Sequence, residues 1–301
     1  MERAIDRPPA DPTVFQGGVN TVLRRGDTVH RPATAATPTI HRLLTHLRAA
    51  GFDGAPVPVP VVAEPAAGES AAGESVAGES ATEQSVAGEP VGDHEVLSYL
   101  PGDVHGALPD ALRTPQLLAS AAVLLRRLHD ASESFPVGPT DRWQLPAREP
   151  VEVICHGDVA PYNAVVRDGA VVGLIDFDTA HPGPRLWDVA YAVYRFAPLH
   201  APTNPDAAGD PVRQARLAAS FCLSYGLWPG AALLDTVTDR ITALVEHITE
   251  RAAAGDRAFA AHVAAGHLTL YREDLRYLAE QRPALLTVFA AACRDGRVDN
   301  I

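Results

Sequence analysis

The chain contains no lysine: all 25 of its basic side chains are arginine. A mechanism built on a lysine amine, such as the phosphate-binding lysine of a P-loop, is therefore excluded, and any phosphate grip must come from guanidinium. Cysteine is scarce too. Cys155, Cys222 and Cys293 are scattered and odd in number, which argues against a disulfide framework or a zinc site and for reduced thiols in a cytoplasm. No run approaches the about 18 uninterrupted apolar residues of a membrane span, and Met1–Pro12 is charged and proline-rich, unlike a secretory signal.

Positive charge is in deficit, with a formal net charge of −12 over 301 residues. That argues against nucleic-acid or anionic-membrane partners and weakly favours a cationic small molecule. The preference is weak because residues 66–90 carry five Glu and no Arg. This tract repeats AAGES, AAGES, VAGES, ATEQS, VAGEP. Small and acidic residues build no core, so it reads as a low-complexity loop insertion without ordered structure.

With 47% hydrophobic and 21% charged residues, the rest reads as a folded globular protein. The first hundred residues suggest strands at Thr13–Phe15, Thr21–Arg24, Thr28–Arg31, Val57–Val62 and Glu95–Tyr99. One helix, Pro38–Ala50, is expected among them, with Thr37 as its N-cap and Ile40, Leu43, Leu44 and Leu47 as its apolar stripe. Beyond residue 114 helical spacing dominates: Leu117–Leu128, Leu186–Phe196, Val212–Tyr225, Ala231–Ala254, Ala258–Glu280 and Pro283–Cys293. Three short strands interrupt it, Val151–Cys155, Ala164–Arg167 and Val171–Ile175, the last two joined by the turn Asp168-Gly169. The expected fold class is α+β, with a strand-rich lobe over 1–100, a helical lobe over 101–301 and a cleft between them.

The most informative segment is Cys155-His156-Gly157-Asp158-Val159-Ala160-Pro161-Tyr162-Asn163, followed by Leu174-Ile175-Asp176-Phe177-Asp178. An Asp, an Asn five residues on and a second Asp at the end of a later strand form the set that protein kinases use for phosphoryl transfer. There the first Asp takes the proton of the accepting hydroxyl, and the other two hold Mg²⁺ on the ATP phosphates. Gly157 permits a tight path, and Pro161 stiffens the loop. His156 reads as a structural support of that loop. Asp178 supports the metal, meets the substrate or caps the next turn. Gly17-Gly18 forms either a backbone approach to ATP phosphates or a plain hairpin turn. Tyr194, Glu273 and Asp274 are candidate substrate-lining residues, since aromatic and acidic groups suit a cationic acceptor.

The motifs H-G-D-V-A-P-Y-N, L-I-D-F-D and P-G-P-R-L-W-D-V-A-Y resemble those of the aminoglycoside phosphotransferase family, small-molecule kinases of protein-kinase-like fold. G-G-V-N, V-H-R-P and the L-H-D near Leu128 extend the resemblance over most of the chain. It implies a bilobal fold, ATP and Mg²⁺ between the lobes, and transfer of the γ-phosphoryl group to a small-molecule hydroxyl. By position Asp158 would be the base, Asn163 and Asp176 the metal ligands, and Asp188 a buttress of the catalytic loop. Arg31 would stand where the family puts its phosphate-gripping Lys or Arg, and Ser98 to Leu100 would meet the adenine through main-chain atoms. The family usually places a Glu in the following helix to orient that basic residue. Pro38–Ala50 has no acid, which puts the standard pair out of reach.

Two other readings accompany this one: a nucleotide-binding regulator without turnover, and a kinase of a peptide or protein. A monomer or homodimer suits all three.

Overall fold

The computed structural model describes residues 13–16, 21–60, 94–207 and 209–298. Gly17, Gly18, Val61, Val62 and the repeat tract lie outside these residues. Strands β1 (Thr13–Gln16), β2 (Thr21–Arg25) and β3 (Thr28–Pro32) form an antiparallel meander, which β4 (His94–Ser98) completes in the order β1-β2-β3-β4. The β2–β3 turn is two residues long, with Gly26 at φ 60°, as a tight hairpin requires.

Helix α1 (Thr37–Ala49) lies between β3 and β4 in sequence. It buries Ile40, Leu43, Leu44 and Leu47 on one face, each at most 2% exposed. Thr37 is not its N-cap. Ala36 holds that place without a side-chain cap, while Thr37 Oγ1 accepts from the Thr34 N–H at 2.8 Å. The expected strand from Val57 is reduced to a bridge between Pro58 and Leu97. Pro58 and Pro60 offer no N–H to a ladder, so pairing does not propagate.

Past Ser98 the chain crosses to the helical region, where Asp103 and Val166 exchange two backbone hydrogen bonds. Helix α2 (Pro115–Ser132) starts with Pro115 after Thr114, whose hydroxyl caps the Leu117 N–H at 3.1 Å. Strand β5 (Val153–Cys155) leads into the loop that holds Asp158, and the hairpin of β6 (Ala164–Arg167) and β7 (Ala170–Leu174) follows. Asp168 and Gly169 both take positive φ, 52° and 73°, in its turn. Strand β8 (His181–Gly183) returns to pair antiparallel with β5.

Among the described residues five helices follow: α3 (Arg185–Phe196), α4 (Pro211–Tyr225), α5 (Ala231–Ala253), α6 (Arg257–Ala264) and α7 (His267–Val298). Two expectations fail here. The pattern read as one helix over Ala258–Glu280 is broken at Gly266, which adopts φ 83°. The break expected before Pro283 does not occur, and α7 runs through it. Pro283 is exposed, so the carbonyl it leaves without an N–H partner can meet water. One apolar core runs from α1 through α2 and the β6–β7 hairpin to α3, α4, α5 and α7, beneath the loop after β5.

Candidate active site

The loop after β5 is fixed by hydrogen bonds from two helices, α3 and α5, and α2 braces the first of them. Asp188, in the first turn of α3, is fully buried; it accepts from the backbone N–H of His156 at 2.7 Å and of Gly157 at 2.9 Å. His129 at the end of α2 reaches the same carboxylate through Nε2 at 3.1 Å, and its Nδ1 meets the Tyr225 hydroxyl at 2.6 Å. Burial alone would raise the Asp188 carboxyl, but these bonds, with the His129 imidazole beside it, bring it down to about 2. From α5, Arg240 donates to the Gly157 carbonyl at 2.6 Å. Gly157 itself sits at φ 83°, and a Cβ there would lie 2.4 Å from the Thr179 carbonyl oxygen. Only glycine fits.

His156 is buried and spans the loop: its Nε2 faces the Ile175 carbonyl at 3.0 Å, and its Nδ1 accepts from the Asp158 N–H at 3.3 Å. The carbonyl accepts and the amide donates, which assigns a neutral ring protonated on Nε2.

Asp158 is held from both oxygens. Tyr162 donates its hydroxyl to Oδ1 at 2.7 Å, and Asn163 Nδ2 donates to Oδ2 at 2.8 Å. With the amide nitrogen spent this way, the Asn163 side-chain oxygen is the atom left for a cation. The Ile175 N–H donates to the Asn163 carbonyl at 2.9 Å, tying this loop to the end of β7, where Asp176 follows. Asp176 adopts φ 65°, ψ 64°, a left-handed conformation rare for a non-glycine residue, and its side chain is 50% exposed. Strain of this kind clusters at functional sites.

Arg31 reaches the same place from the sheet. Its Nη1 donates to Asp176 at 2.9 Å and its Nη2 to Asp178 at 2.5 Å. Its Nε donates to Glu95 Oε1 at 2.6 Å, and His41 Nε2 meets Glu95 Oε2 at 2.7 Å. Burial works against the Arg31 charge, but the three carboxylates outweigh it and raise the guanidinium further above its usual range. Burial, with Asp176 and Glu95 nearby, raises the Asp178 carboxyl despite its contact with Arg31. Three carboxylates around one arginine leave an excess of negative charge beside a half-exposed Asp176. That donor set of hard oxygens suits Mg²⁺. Among the described residues no group of three or more His, Cys, Asp or Glu forms a metal cage.

The structure therefore brings Arg31, Asp158, Asn163, Asp176, Asp178, His156 and Asp188 together. Helix α1 supplies no acid to Arg31; Glu95 does so instead, from the neighbouring strand β4. At the connector, the Ser98 and Tyr99 N–H groups are already bonded to the Val57 and Asp27 carbonyls, both at 2.8 Å. Ser98 and Tyr99 thus offer no free main-chain donor, which leaves the Leu100 N–H as the candidate donor of the three.

The proposed substrate-lining residues do not assemble. Tyr194 and Asp274 are fully buried and pair with each other at 2.6 Å, while Asp274 also accepts from the Ala201 N–H and from Asn204. They lock α7 onto α3 and the segment after it. Glu273 points outward to Thr203, at 2.8 Å, and to Arg276. Three contributors escaped the sequence reading: Glu95, Tyr162 and Arg240. Arg240 had a visible signal, a charge inside the apolar stripe Leu233, Val237, Ile241, Ile248.

A profile of the phosphotransferase enzyme family matches residues 10–148 and 139–234. The trifolitoxin immunity protein of Rhizobium leguminosarum bv. trifolii is 33% identical over 189 residues, a match spanning 61% of this chain and 61% of that protein. Among solved structures, the GDP complex of aminoglycoside 2′-phosphotransferase-IIIa superposes with TM-score 0.57 at 14% identity, over 90% of this chain and 94% of that one. An aminoglycoside phosphotransferase homologue from Ralstonia eutropha gives TM-score 0.56 at 14% identity, covering 92% and 94%. An amicoumacin kinase, solved with AMP-PNP, Ca²⁺ and its ligand, gives 0.55 at 13% identity, covering 84% and 87%. The chain belongs to the aminoglycoside phosphotransferase family of phosphotransferase enzymes and has its bilobal, protein-kinase-like fold.

Proposed function

We propose that this protein is an ATP- and Mg²⁺-dependent O-phosphotransferase that moves the γ-phosphoryl group to a hydroxyl of a small molecule. One observation carries the reading: Asp158, Asn163 and Asp176 are joined by the Asn163–Asp158 and Ile175–Asn163 hydrogen bonds and faced by Arg31. In this reading the nucleotide lies between the strand-rich 1–100 and the helix-rich 101–301. Arg31 turns from Asp176 and Asp178 to phosphate oxygens, which its fork grips in pairs. Asn163 and Asp176 would hold Mg²⁺, which would neutralise charge on the phosphates when bound. Asp158 orients the acceptor hydroxyl and takes its proton as oxygen attacks the γ-phosphorus. The bond from that phosphorus to the bridging oxygen breaks, and ADP leaves.

The immunity protein among the relatives and the antibiotic kinases among the structural neighbours support a role in modifying a toxic compound. Buried, unpaired Cys155 and Cys222 support a reducing, cytoplasmic setting. The test is incubation with Mg-ATP and a panel of hydroxylated compounds, with mass spectrometry reading a phosphate adduct. Turnover is expected, and Asp158→Ala should abolish it; turnover that survives this change rules the mechanism out. A nucleotide-binding regulator is the second reading, favoured by the contact of Arg31 with both Asp176 and Asp178. ATP binding without turnover or slow hydrolysis would select it.

A further inference from the structure

Arg240 carries a buried charge that gains little from its surroundings. It is 6% exposed, its Nε is buried with no hydrogen-bond partner, and among the described residues no carboxylate forms an ion pair with it. Aromatic rings flank it instead. The guanidinium carbon stands 4.3 Å from the centre of the Tyr191 ring and 5.5 Å from that of Trp187. Trp187 already carries a second cation, Arg148, at 3.7 Å. Burial, then the Arg240 charge, lowers the Arg148 guanidinium from its usual range, so the two cations oppose each other. A buried charge held this way costs stability, and an apolar side chain of similar shape would avoid that cost.

The hydrogen bond it does make reaches the catalytic loop. Arg240 Nη2 donates to the Gly157 carbonyl at 2.6 Å, a charge-assisted contact across 83 positions of sequence. That carbonyl belongs to the peptide joining Gly157 to Asp158. The other end of the same peptide, the Asp158 N–H, donates to His156 Nδ1 at 3.3 Å. The preceding peptide is fixed by its own charge, since the Gly157 N–H donates to Asp188 at 2.9 Å. An anion from α3 and a cation from α5 thus grip the two polar groups of one glycine, which has no side chain to anchor it. The 157–158 peptide is planar and carries the Asp158 Cα, so a tilt of that plane swings the carboxylate.

We propose that Arg240 is a positioning residue: its guanidinium sets the plane of the 157–158 peptide so that Asp158 faces the acceptor hydroxyl, at a cost to stability. This rests on the phosphotransferase reading and adds to it a residue from outside the motif segments. Its signature is a split between turnover and stability, which a purely structural arginine does not give.

The experiment compares Arg240→Met and Arg240→Lys with the unaltered full chain. Methionine fills the space beside Tyr191 but removes both charge and donor. Relief of the buried charge and loss of the bond to the Gly157 carbonyl oppose each other, so the melting temperature should stay within about 4 °C. Phosphate release from Mg-ATP should fall about tenfold or more. KM for ATP and AMP-PNP affinity should stay within about twofold. Hydrogen exchange should rise about tenfold or more in peptides covering 155–163 and stay unchanged in α2 and α4. Lysine keeps a donor for the carbonyl, so Arg240→Lys should recover part of the lost turnover.

The inference is overturned if Arg240→Met leaves turnover or loop exchange unchanged, or if Arg240→Lys is no better than Arg240→Met. It is also overturned if melting falls by more than about 8 °C with exchange rising throughout, the mark of a structural arginine. Failure of the phosphotransferase reading looks different, since the unaltered protein would then show no turnover at all. Loop exchange still decides in that case: selective loosening in Arg240→Met supports the positioning role while counting against the reaction, and unchanged exchange overturns the role.

Discussion

Glu95 on β4 stands directly opposite Arg31 on β3, and its Oε1 accepts from Arg31 Nε at 2.6 Å. Opposed residues of an antiparallel pair project to one face, so register alone delivers an acid to the basic residue. Its second oxygen meets His41 of α1, so the helix still takes part, through an imidazole. The acid has moved from helix to strand, and the helix has become its support.

Glu95→Gln should separate this device from general stability. Glutamine still accepts from Nε but cannot neutralise Arg31, leaving the guanidinium more firmly drawn to Asp176 and Asp178. Nucleotide affinity should fall by about tenfold, and stability by about 1–3 kcal/mol, the usual result of impairing a buried charged hydrogen bond. AMP-PNP titration and urea denaturation read the two effects. Unchanged affinity would show that Arg31 does not grip phosphate.

The proposed catalytic set could be read from sequence because it is local. Asp158, Asn163 and Asp176 lie within 19 residues, bridged by a hairpin whose turn signal, Asp168-Gly169, is strong. The Arg31–Glu95 pair spans 64 positions, and neither residue's neighbours reveal strand register. Tyr194 and Asp274, 80 positions apart, were read as pocket residues because polarity in an amphipathic helix suggests a wet face. Here each satisfies the other inside the core. Pro283 misled for a related reason. A proline stops a helix when its lost bond is buried, and this one is exposed.

Asp188→Asn should test the buttress. Asparagine puts an NH₂ donor where two backbone N–H groups and His129 converge on a carboxylate, so one contact becomes donor against donor. The loss should be about 3–5 kcal/mol, as for breaking a buried charged pair. The sign of the pH effect follows from the carboxyl's position at about 2 in the fold, below the unfolded value near 3.9. Its contribution is full above about pH 4 and is lost as pH falls toward 2. Chemical denaturation from pH 2.5 to 6 should show the wild-type advantage over Asp188→Asn shrinking with acid. A constant difference would assign the stabilisation to packing.

Gly157→Ala should be much worse than Gly169→Ala, although both glycines have positive φ. At Gly169 nothing lies within 4 Å of the added methyl, leaving a left-handed backbone strain of about 1–2 kcal/mol. At Gly157 the same strain is joined by a 2.4 Å approach to the Thr179 carbonyl oxygen, which is backbone and yields only by moving the segment after Asp176. Melting temperature should therefore drop further for Gly157→Ala, with loss of turnover. Equal losses would mean that the loop has room to shift.

Tyr162 poses the sharpest question about the base. Its hydroxyl lies 2.7 Å from Asp158 Oδ1, the kind of contact an acceptor hydroxyl must make. Tyr162 and the acceptor therefore compete for one oxygen. In the resting protein the phenol keeps that oxygen occupied, and burial raises the phenol's proton affinity well above the usual tyrosine range, so it remains a donor. Tyr162→Phe removes the competitor while keeping the ring beneath Arg195. Water can then reach Oδ1, and ATP hydrolysis without acceptor should rise by about threefold to tenfold, against a typical general-base contribution of about 10²–10⁴. Phosphate release in the absence of acceptor measures it. A fall in hydrolysis would instead mean that the Tyr162 hydroxyl holds Asp158 in its working orientation.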